Sequence, residues 1–311
     1  MLIGSQIKTN LDPTKTEEGN ILETINTKLI AKALGCEQTE IKELTVIKKG
    51  MTNRSYLFTW KGERYIMRIP GEGTDKMIVR EQEYNVYQQI APLNICDDIK
   101  YINPDNGYKI TVFWEDAREC DPFQEEDVRA CMNVLKKFHE NELQVAHYFD
   151  IFERIEFYEN LWQLPSCYED YEVTKANIMS LKEHLKTYPK TLKLTHIDAN
   201  HDNFLFINAD QEIRLIDWEY AAMQDPHVDI AMFAIYAMYD RAQVERLIDL
   251  YFDGDCEKQI RLKIYAYIAM CGLLWSNWCE YKQQLGVGFG EYALKQYAYA
   301  KDYFQIFMNG I

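Results

Sequence analysis

The segment Thr195–Tyr220, THIDANHDNFLFINADQEIRLIDWEY, is the most informative stretch of this chain. It spaces His196, Asp198 and Asn203 as H-x-D-x-x-x-x-N, and a two-stranded pattern then brings Asp217 to the end of an apolar run. Phosphoryl transfer needs a carboxylate near the attacking hydroxyl and two oxygen ligands that hold Mg²⁺ against the β- and γ-phosphates. The loop supplies the first two groups and the hairpin returns the third. The segment therefore predicts a site for phosphoryl transfer.

The sequence around these residues favours a true site over a chance match. An H-x-D-x-x-x-x-N spacing alone arises by chance, and Asp198 alone is compatible with a helix cap. Residues 204–207 and 213–216 are short apolar runs, however, and Asn208–Gln211 has the composition of a turn between two strands. Protein kinases combine a catalytic-loop Asp, a metal-binding Asn and a second metal-binding Asp in this way. The coincidence of loop, hairpin and acid predicts kinase chemistry.

Composition limits the classes of protein and partner. The 311 residues are enough for one large domain or two lobes with a substantial core. Hydrophobic residues make up 47% and charged residues 27%, which is typical of a globular chain, and the formal net charge is -15. That charge argues against binding to nucleic acid or to an anionic membrane surface. It is compatible with a cationic substrate.

Cysteine usage and apolar runs indicate the compartment. The eight cysteines are scattered without a C-x-x-C pair, and no His/Cys cluster has zinc spacing. A reduced, cytoplasmic setting is therefore expected. Residues 1–20 lack a basic region followed by an apolar core, and the most apolar stretch, 264–278, is too short and too polar at its ends to span a bilayer. We expect no signal peptide and no stable membrane insertion, whereas the oligomeric state stays open.

Strand patterns dominate the first third of the chain. Residues 43–69 alternate like strands, with a turn at Lys61-Gly62, and a second strand pair is indicated within 99–115. A helix that begins near Asp75 is predicted between them. After residue 115 the pattern is mostly helical apart from the hairpin. The expected fold is therefore α+β and two-lobed, like that of protein kinases.

The two lobes have expected boundaries and roles. Residues 1–115 are predicted to form a β-rich N-terminal nucleotide-binding lobe. Residues 116–311 are predicted to form a mostly helical catalytic and substrate-binding lobe. This division places the nucleotide-contacting strands before the catalytic segment.

The strand-turn-strand at residues 48–58 stands where a kinase has its phosphate-covering loop. Gly50 is the only glycine of this loop. Its backbone N–H groups and the side chains of Thr52, Asn53 and Ser55 are candidate contacts to phosphate oxygens. An ordinary polar hairpin turn is the alternative.

Arg68 stands on the next strand, where a kinase has its phosphate-pairing lysine. A guanidinium stays charged and offers a planar fork of donors to phosphate or carboxylate. A surface strand residue is the alternative. Glu83 on the following helix is the expected ion-pair partner, and Glu81 is the other candidate.

Several segments together resemble the bacterial choline kinase family, within the broader choline/ethanolamine kinase and aminoglycoside phosphotransferase group. The resemblance runs from about residue 48 to about residue 229 and, less sharply, to the C-terminus. The catalytic motifs are common to the broad group, whereas GMTN and RIPGEGT narrow the match to the choline kinase branch. The segments that carry it are GMTNRSYLF, RYIMRIPGEGT, HIDANHDNF, LIDWEYA and DPHVDIAMF.

The resemblance implies roles for individual residues. It implies that Asp198 is the catalytic base, that Asn203 and Asp217 are Mg²⁺ ligands, and that Glu219 assists the metal site. It further implies that Arg68 takes the place of the kinase lysine and that residues from Phe113 to Glu115 form the hinge that receives adenine. His196 is expected to support the catalytic loop, and His139 to be a packing or capping residue.

The acceptor pocket is expected to be aromatic. Trp275 and Trp278 lie three residues apart in a helical pattern, hence on one face, although plain core packing is the alternative. A quaternary ammonium has no N–H donors, so aromatic faces and carboxylates recognise it. Choline kinases similarly carry a W-x-x-W pair, and the resemblance places Tyr297 as a further cage residue. Tyr236 stands where eukaryotic relatives use a glutamate, which leaves the acidic part of the pocket open.

The expected reaction is ATP- and Mg²⁺-dependent phosphorylation of choline or a similar small amino alcohol. A kinase with the same chemistry and another acceptor, such as ethanolamine or an aminoglycoside, is the nearest alternative. A catalytically inactive kinase fold that serves as a binding protein is the alternative of another class. The presence of Asp198, Asn203 and Asp217 argues against inactivity.

Overall fold

The computed structural model describes residues 17–49, 53–71, 74 and 77–310. The chain divides into two compact units. Unit 1 contains the chain up to Glu119 together with Leu205–Glu219, and unit 2 contains Cys120–Phe204 and the chain from Tyr220 onward. The sequence analysis places the boundary at 115/116, with the whole predicted hairpin in the second part. The hairpin groups with the first unit because it is paired there through backbone hydrogen bonds.

The chain up to residue 119 supplies two helices and six strands among its described residues. The strands predicted within 43–69 and 99–115 are present. The elements are α1 (Glu17–Leu34), β1 (Lys42–Lys49), β2 (Asn53–Trp60), β3 (Glu63–Pro70), α2 (Arg80–Ile90), β4 (Ile99–Ile102), β5 (Lys109–Val112) and β6 (Arg118–Glu119).

The remaining chain is mostly helical, as the sequence predicted. Four short strands accompany the helices, and two of them form the predicted hairpin. The elements are α3 (Glu125–His139), α4 (Ile151–Glu159), α5 (Tyr171–His184), β7 (Lys193–Thr195), β8 (Phe204–Ile207), β9 (Glu212–Leu215), β10 (Ala222–Gln224), α6 (His227–Tyr236), α7 (Arg241–Tyr251), α8 (Lys258–Gln284) and α9 (Glu291–Gly310).

The main sheet of unit 1 is antiparallel, with strand order β1-β2-β3-β5-β4. Successive side chains of a strand point to opposite faces, so Tyr56 and Phe58 of β2 share one face. They pack with Met67 of β3, Ile110 of β5 and Ile30 of α1 in one apolar cluster. This packing fixes β3, and with it Arg68, against its neighbours.

The start of α2 differs from the sequence-based expectation. The helix begins at Arg80 and not near Asp75, which itself lies outside the described residues. The backbone N–H groups of Met77 and Ile78 bond to the carbonyl of Thr74 in a turn. Val79 is then extended, with φ −90° and ψ 105°. The turn and the extended residue delay the helix, so Arg80 stands at its first position.

A small sheet, β6-β8-β9, contains the predicted hairpin. Its turn holds three consecutive residues at positive φ, Asn208, Ala209 and Asp210. The Arg118 guanidinium of β6 forms a salt bridge with the Asp210 carboxylate, with Nε 2.9 Å from Oδ1. The backbone N–H of Leu215 donates to the carbonyl oxygen of Ile95, in the connection between α2 and β4, at a distance of 2.7 Å. These contacts place the residues after β9 within unit 1.

Unit 2 is organised around α8. This helix of 27 residues is buried along most of its length and packs against α4, α6 and α9. Its close approach to α9 depends on Gly272, where a Cβ atom would lie 2.7 Å from the carbonyl oxygen of Gln296. In the described part of the chain, no helix combines the length and apolar character required to cross a membrane.

Candidate active site

The loop between β7 and β8 has a backbone conformation that requires support. Strand β7 pairs with β10, which fixes the start of the loop at Thr195. Ile197 has φ +71°, in the left-handed region that β-branched residues rarely adopt. The buried Asp229 carboxylate of α6 accepts the backbone N–H of His196 at 3.0 Å and that of Ile197 at 2.7 Å. Asp229 therefore holds the backbone immediately before Asp198.

Asp229 and His139 are supporting residues to which the sequence analysis gave no such role. His139 Nε2 lies 2.8 Å from Asp229 Oδ2, and its Nδ1 lies 2.8 Å from the Tyr251 hydroxyl. A proton on Nε2 satisfies both contacts, since the ring then donates to Asp229 and accepts from Tyr251. The signal in the sequence was a lone acid in the apolar run of α6. His196 is also buried, and its backbone N–H belongs to the same network.

The carboxylate of Asp198 is contacted from two directions. Asn203 Nδ2 donates to the backbone oxygen of Asp198 at 2.9 Å and lies 3.4 Å from its Oδ2. The hydroxyl of Tyr236 donates a hydrogen bond to Oδ1. Burial, and then the charge of Asp198, raise the pKa of Tyr236 well above its ordinary value, so its phenol remains a donor. The donor side of Asn203 is used within the loop, so the amide oxygen is the atom with which it could contact a metal ion.

Arg68 is the centre of a buried charge cluster in unit 1. Its guanidinium pairs with Glu83 of α2, with Asp217 Oδ1 at 2.8 Å and with Glu219 Oε2 at 3.2 Å. Glu83 is thus the observed partner of the two candidates, Glu83 and Glu81. Burial opposes the charge on Arg68, but Glu83, Glu219 and Asp217 outweigh it and raise its pKa well above the ordinary value.

Glu219 is shared by several donors. Its Oε2 lies 3.2 Å from Arg68, 3.6 Å from Arg80 Nη1 and 3.5 Å from Asn53 Nδ2. Burial and the neighbouring charge of Asp217 raise the pKa of Glu219 to about 8. Arg80, a residue of this cluster that the sequence analysis did not single out as a site residue, has its side chain buried at the start of α2.

The turn after β9 gives Asp217 its position. Asp217 has φ +67°, a left-handed conformation that Asp adopts more readily than most residues. The indole N–H of Trp218 donates to the carbonyl of Leu215 at 2.6 Å and closes the turn. The candidate metal ligands Asn203, Asp217 and Glu219 all offer oxygen atoms, which is the ligand type that Mg²⁺ prefers. Within the described ranges, no group of three or more His, Cys, Asp or Glu side chains is arranged to hold a metal ion.

The proposed phosphate-contacting residues are only partly described. Gly50 and Thr52 lie outside the described residues. Asn53 is the first residue of β2 and contacts Glu219. Ser55 lies directly opposite Arg68 in the antiparallel pairing of β2 with β3.

Phe113 and Glu115, the expected hinge residues, follow β5 directly. The backbone N–H of Phe113 donates to the carbonyl of Arg64 at 2.9 Å, and the Arg64 guanidinium lies 4.9 Å from the centre of the Phe113 ring. Glu115 is exposed and pairs with Arg64 at 3.4 Å. Both residues therefore extend the chain beyond the end of β5 and contact Arg64 of β3.

Trp275 and Trp278 belong to an aromatic cluster of unit 2. Their rings meet edge to face, with centroids 5.7 Å apart, and Trp275 also lies 5.7 Å from Tyr236. Since the Tyr236 hydroxyl contacts Asp198, the cluster continues to the carboxylate in the loop between β7 and β8. The rings that form the aromatic cluster are Tyr220, Tyr236, Trp275, Trp278, Phe289 and Tyr292.

Tyr297 lies in a different group of contacts. Its ring stacks on Tyr168, with centroids 3.7 Å apart and planes inclined by 4°. Its hydroxyl oxygen lies within hydrogen-bond distance of Asp170 Oδ1, at 2.8 Å, and of Thr174 Oγ1, at 2.9 Å. Among the ring pairs of the described residues, none joins Tyr297 to Trp275 or Trp278.

Comparison with known proteins identifies the family. Residues 44–250 match the sequence model of the choline/ethanolamine kinase family. Protein LicA of Haemophilus influenzae is 27% identical over 263 residues, which cover 79% of this chain and 76% of that protein. The crystal structure of choline kinase LicA from Streptococcus pneumoniae is similar with a TM-score of 0.79 and 26% identity, covering 92% of this chain and 99% of that one.

A further similar structure is that of LicA in complex with AMP, with a TM-score of 0.78 and 26% identity, covering 92% of this chain and 99% of that one. These similarities confirm the protein-kinase-like fold and the family predicted from the sequence motifs. They also support nucleotide binding, since AMP is bound to one of the similar proteins. The chain belongs to the choline/ethanolamine kinase family and is a phosphotransferase that acts on an alcohol.

Proposed function

We propose that this protein transfers the γ-phosphoryl group of ATP to the hydroxyl of choline and forms phosphocholine and ADP. The observation that carries the proposal is the continuity, within unit 2, between the Asp198 carboxylate and the aromatic cluster through Tyr236. A substrate with a hydroxyl at one end and a quaternary ammonium at the other needs a carboxylate base beside the hydroxyl and aromatic faces beside the ammonium. The family and the similarity to choline kinase LicA support the same choice.

Asp198 is the proposed general base. It accepts the proton of the choline hydroxyl while the hydroxyl oxygen forms a bond to the γ-phosphorus. The bond from that phosphorus to the bridging oxygen of ADP breaks in the same displacement, and ADP leaves with the electron pair. The backbone hydrogen bonds to Asp229 maintain the loop for this step, and His196 contributes through its backbone N–H.

Arg68 is the proposed partner of the α- and β-phosphates, and Glu83 fixes its guanidinium. Gly50, Thr52, Asn53 and Ser55 are the proposed contacts of the phosphate-covering loop, with Phe113 and Glu115 at the adenine. Asn203 and Asp217, assisted by Glu219, are the proposed ligands of Mg²⁺. When bound, Mg²⁺ neutralises the charge that develops on the transferred phosphoryl group.

The proposed acceptor preference follows from the chemistry of the aromatic cluster. A quaternary ammonium offers no N–H donors and is attracted to aromatic faces, each contact contributing about 0.5–2 kcal/mol. A primary ammonium such as that of ethanolamine instead requires carboxylate or carbonyl acceptors. Trp275, Trp278 and Tyr236 supply aromatic faces, whereas the proposed role of Tyr297 as a cage residue has no support from its contacts to Tyr168 and Asp170.

A cytoplasmic location, expected from the cysteines, agrees with the use of ATP.

The test is Mg²⁺-dependent ADP release from ATP with choline, ethanolamine and several aminoglycosides as acceptors. We expect saturable turnover with choline and its loss when the metal is removed by a chelator. Turnover with ethanolamine or an aminoglycoside alone would replace the proposed acceptor. ATP binding without turnover on any acceptor would favour an inactive, nucleotide-binding protein.

Matched variants connect the activity to the loop. Asp198→Asn keeps the size of the side chain and removes the base, so we expect it to lose most turnover while ATP still binds. Asp202→Asn makes the same change in the same loop, at a carboxylate that pairs with His201 at 3.2 Å, and should keep most of the turnover. Equal effects of the two variants would remove Asp198 from the proposed role.

A further inference from the structure

The hydroxyl of Tyr236 contacts Asp198 in a manner that the family resemblance does not supply. Tyr236 stands on the last turn of α6, and Asp198 stands in the loop before β8. The phenol donates to Oδ1, while the amide of Asn203 lies 3.4 Å from Oδ2. The two carboxylate oxygens therefore have different neighbours.

An Asp side chain alone does not keep its two oxygens in fixed places. The torsion that rotates a carboxylate is broad and roughly two-fold, so several orientations have similar energies. A hydrogen bond from a fixed donor selects one of them, and a charge-assisted hydrogen bond is stronger than a neutral one. The donor is effective only if its own side chain is held.

The ring of Tyr236 is held in this way. It lies 5.7 Å from Trp275 and is stacked with Tyr292, with centroids 6.4 Å apart and planes inclined by 20°. A phenol that is fixed by neighbouring rings has few alternative positions for its O–H. Its raised pKa maintains the proton that it donates.

We propose that Tyr236 is a positioning residue for Asp198: its hydroxyl fixes Oδ1 and directs Oδ2 to the hydroxyl of the acceptor. This inference rests on the proposed function, and it assigns to the hydroxyl of Tyr236 a role in catalysis, apart from the aromatic face that the ring supplies. At the position where eukaryotic relatives use a glutamate, Tyr236 thus supplies a hydrogen bond to Asp198. Asp198 is then a carboxylate that contacts a ring of the aromatic cluster directly, through the Tyr236 hydroxyl.

Tyr236→Phe tests the inference because it keeps the ring and removes only the hydroxyl. We expect kcat to fall by roughly tenfold to a hundredfold, the effect of losing one hydrogen bond to a charged group. The KM values for acceptor and ATP should each change by less than about threefold, because the lost interaction orients the base and binds neither substrate. Tyr265→Phe is the matched control, since its hydroxyl also donates to a carboxylate, that of Glu245, outside the site. The control should retain wild-type kcat.

A double-mutant cycle with Asp198→Asn separates positioning from a structural effect. If Tyr236 acts through Asp198, Tyr236→Phe should cause no further loss in the Asp198→Asn background. Additive losses in the cycle, or wild-type kcat in Tyr236→Phe, would overturn the inference. A raised acceptor KM with unchanged kcat would also overturn it and return Tyr236 to a binding role.

Thermal unfolding of each variant shows whether the fold is retained. The assays use whichever alcohol the wild-type protein phosphorylates, so a preferred acceptor other than choline changes the proposed substrate alone. A wild-type protein that phosphorylates no acceptor removes both proposals. An active wild type with an equally active Tyr236→Phe variant removes the positioning role and leaves the proposed function intact.

Discussion

Asp229→Asn is the change with the most clearly defined consequences. The carboxylate accepts two backbone N–H groups, from His196 and Ile197, through different oxygens, and it also contacts His139. An Asn side chain of the same shape has one oxygen and one N–H₂ group. At least one of the N–H groups that donate to the Asp229 carboxylate must then face the N–H₂ group of the asparagine.

The magnitude follows from these contacts. A buried donor left unsatisfied costs about 1–3 kcal/mol, and a hydrogen bond to a neutral oxygen is weaker than one to a carboxylate. Ile197 also keeps its left-handed conformation only while the backbone hydrogen bonds hold it, at a cost of about 1–2 kcal/mol. We expect the free energy of unfolding to fall by about 2–4 kcal/mol. A displacement of Asp198 by about 1 Å would lower kcat by roughly a hundredfold.

Urea denaturation and steady-state kinetics measure the two effects. Asp240→Asn is the matched control: Asp240 caps α7 by accepting the N–H of Gln243 at 2.9 Å, and Asn caps a helix as well as Asp does. The control should change stability by less than about 0.5 kcal/mol and leave kcat unaltered. An Asp229→Asn protein with wild-type stability and kcat would refute the argument that this carboxylate supports the loop.

Three further predictions concern other parts of the molecule. Arg68→Met leaves the buried carboxylates of its cluster without their main partner and should lower the free energy of unfolding by about 3–5 kcal/mol, as measured by urea denaturation. In the same assay, Arg64→Met removes an exposed ion pair and should lower it by at most about 1 kcal/mol. Gly272→Ala introduces a Cβ 2.7 Å from a carbonyl oxygen of α9 and should destabilise by about 1–3 kcal/mol, whereas Gly288→Ala enters open space and should change the midpoint little. Trp278→Ala should raise the KM for choline by roughly 3- to 30-fold and leave the KM for ATP nearly unchanged; equal increases would indicate a packing role.

Local patterns predicted the strands of the first part of the chain and the hairpin after the loop. The turn at Asn208–Gln211 was evident because polar residues separate two short apolar runs, and the structure confirms the hairpin between β8 and β9. Strand alternation likewise predicted β2 and β3. The start of α2 was placed too early because the turn at Thr74 and the extended Val79 give no periodic signal.

Contacts between distant residues were beyond these patterns. Asp229 supports a loop some thirty positions earlier in the chain, and only its isolation in an apolar helix hinted at a role. The hydrogen bond from Tyr236 to Asp198 depends on how α6 packs, which no spacing rule specifies. Periodicity placed Trp275 and Trp278 on one face correctly, whereas Tyr297 has its contacts elsewhere. Whether these residues have the predicted roles stays a proposal.

The ion pairs of Arg68 bear on the order in which ligands bind. Its Nη1 already contacts Asp217 at 2.8 Å and Glu219 at 3.2 Å, the carboxylates proposed to hold Mg²⁺. A metal ion that arrived alone would have to compete with Nη1 for these carboxylates and leave the N–H groups of Nη1 without them as acceptors, while Nη2 stays paired with Glu83. Phosphate oxygens provide those acceptors, so the nucleotide supplies what Arg68 would lose. On the proposed assignment, Asp217 and Glu219 would be poorly available to free Mg²⁺, and we expect Mg²⁺ and ATP to bind as a single complex rather than in succession.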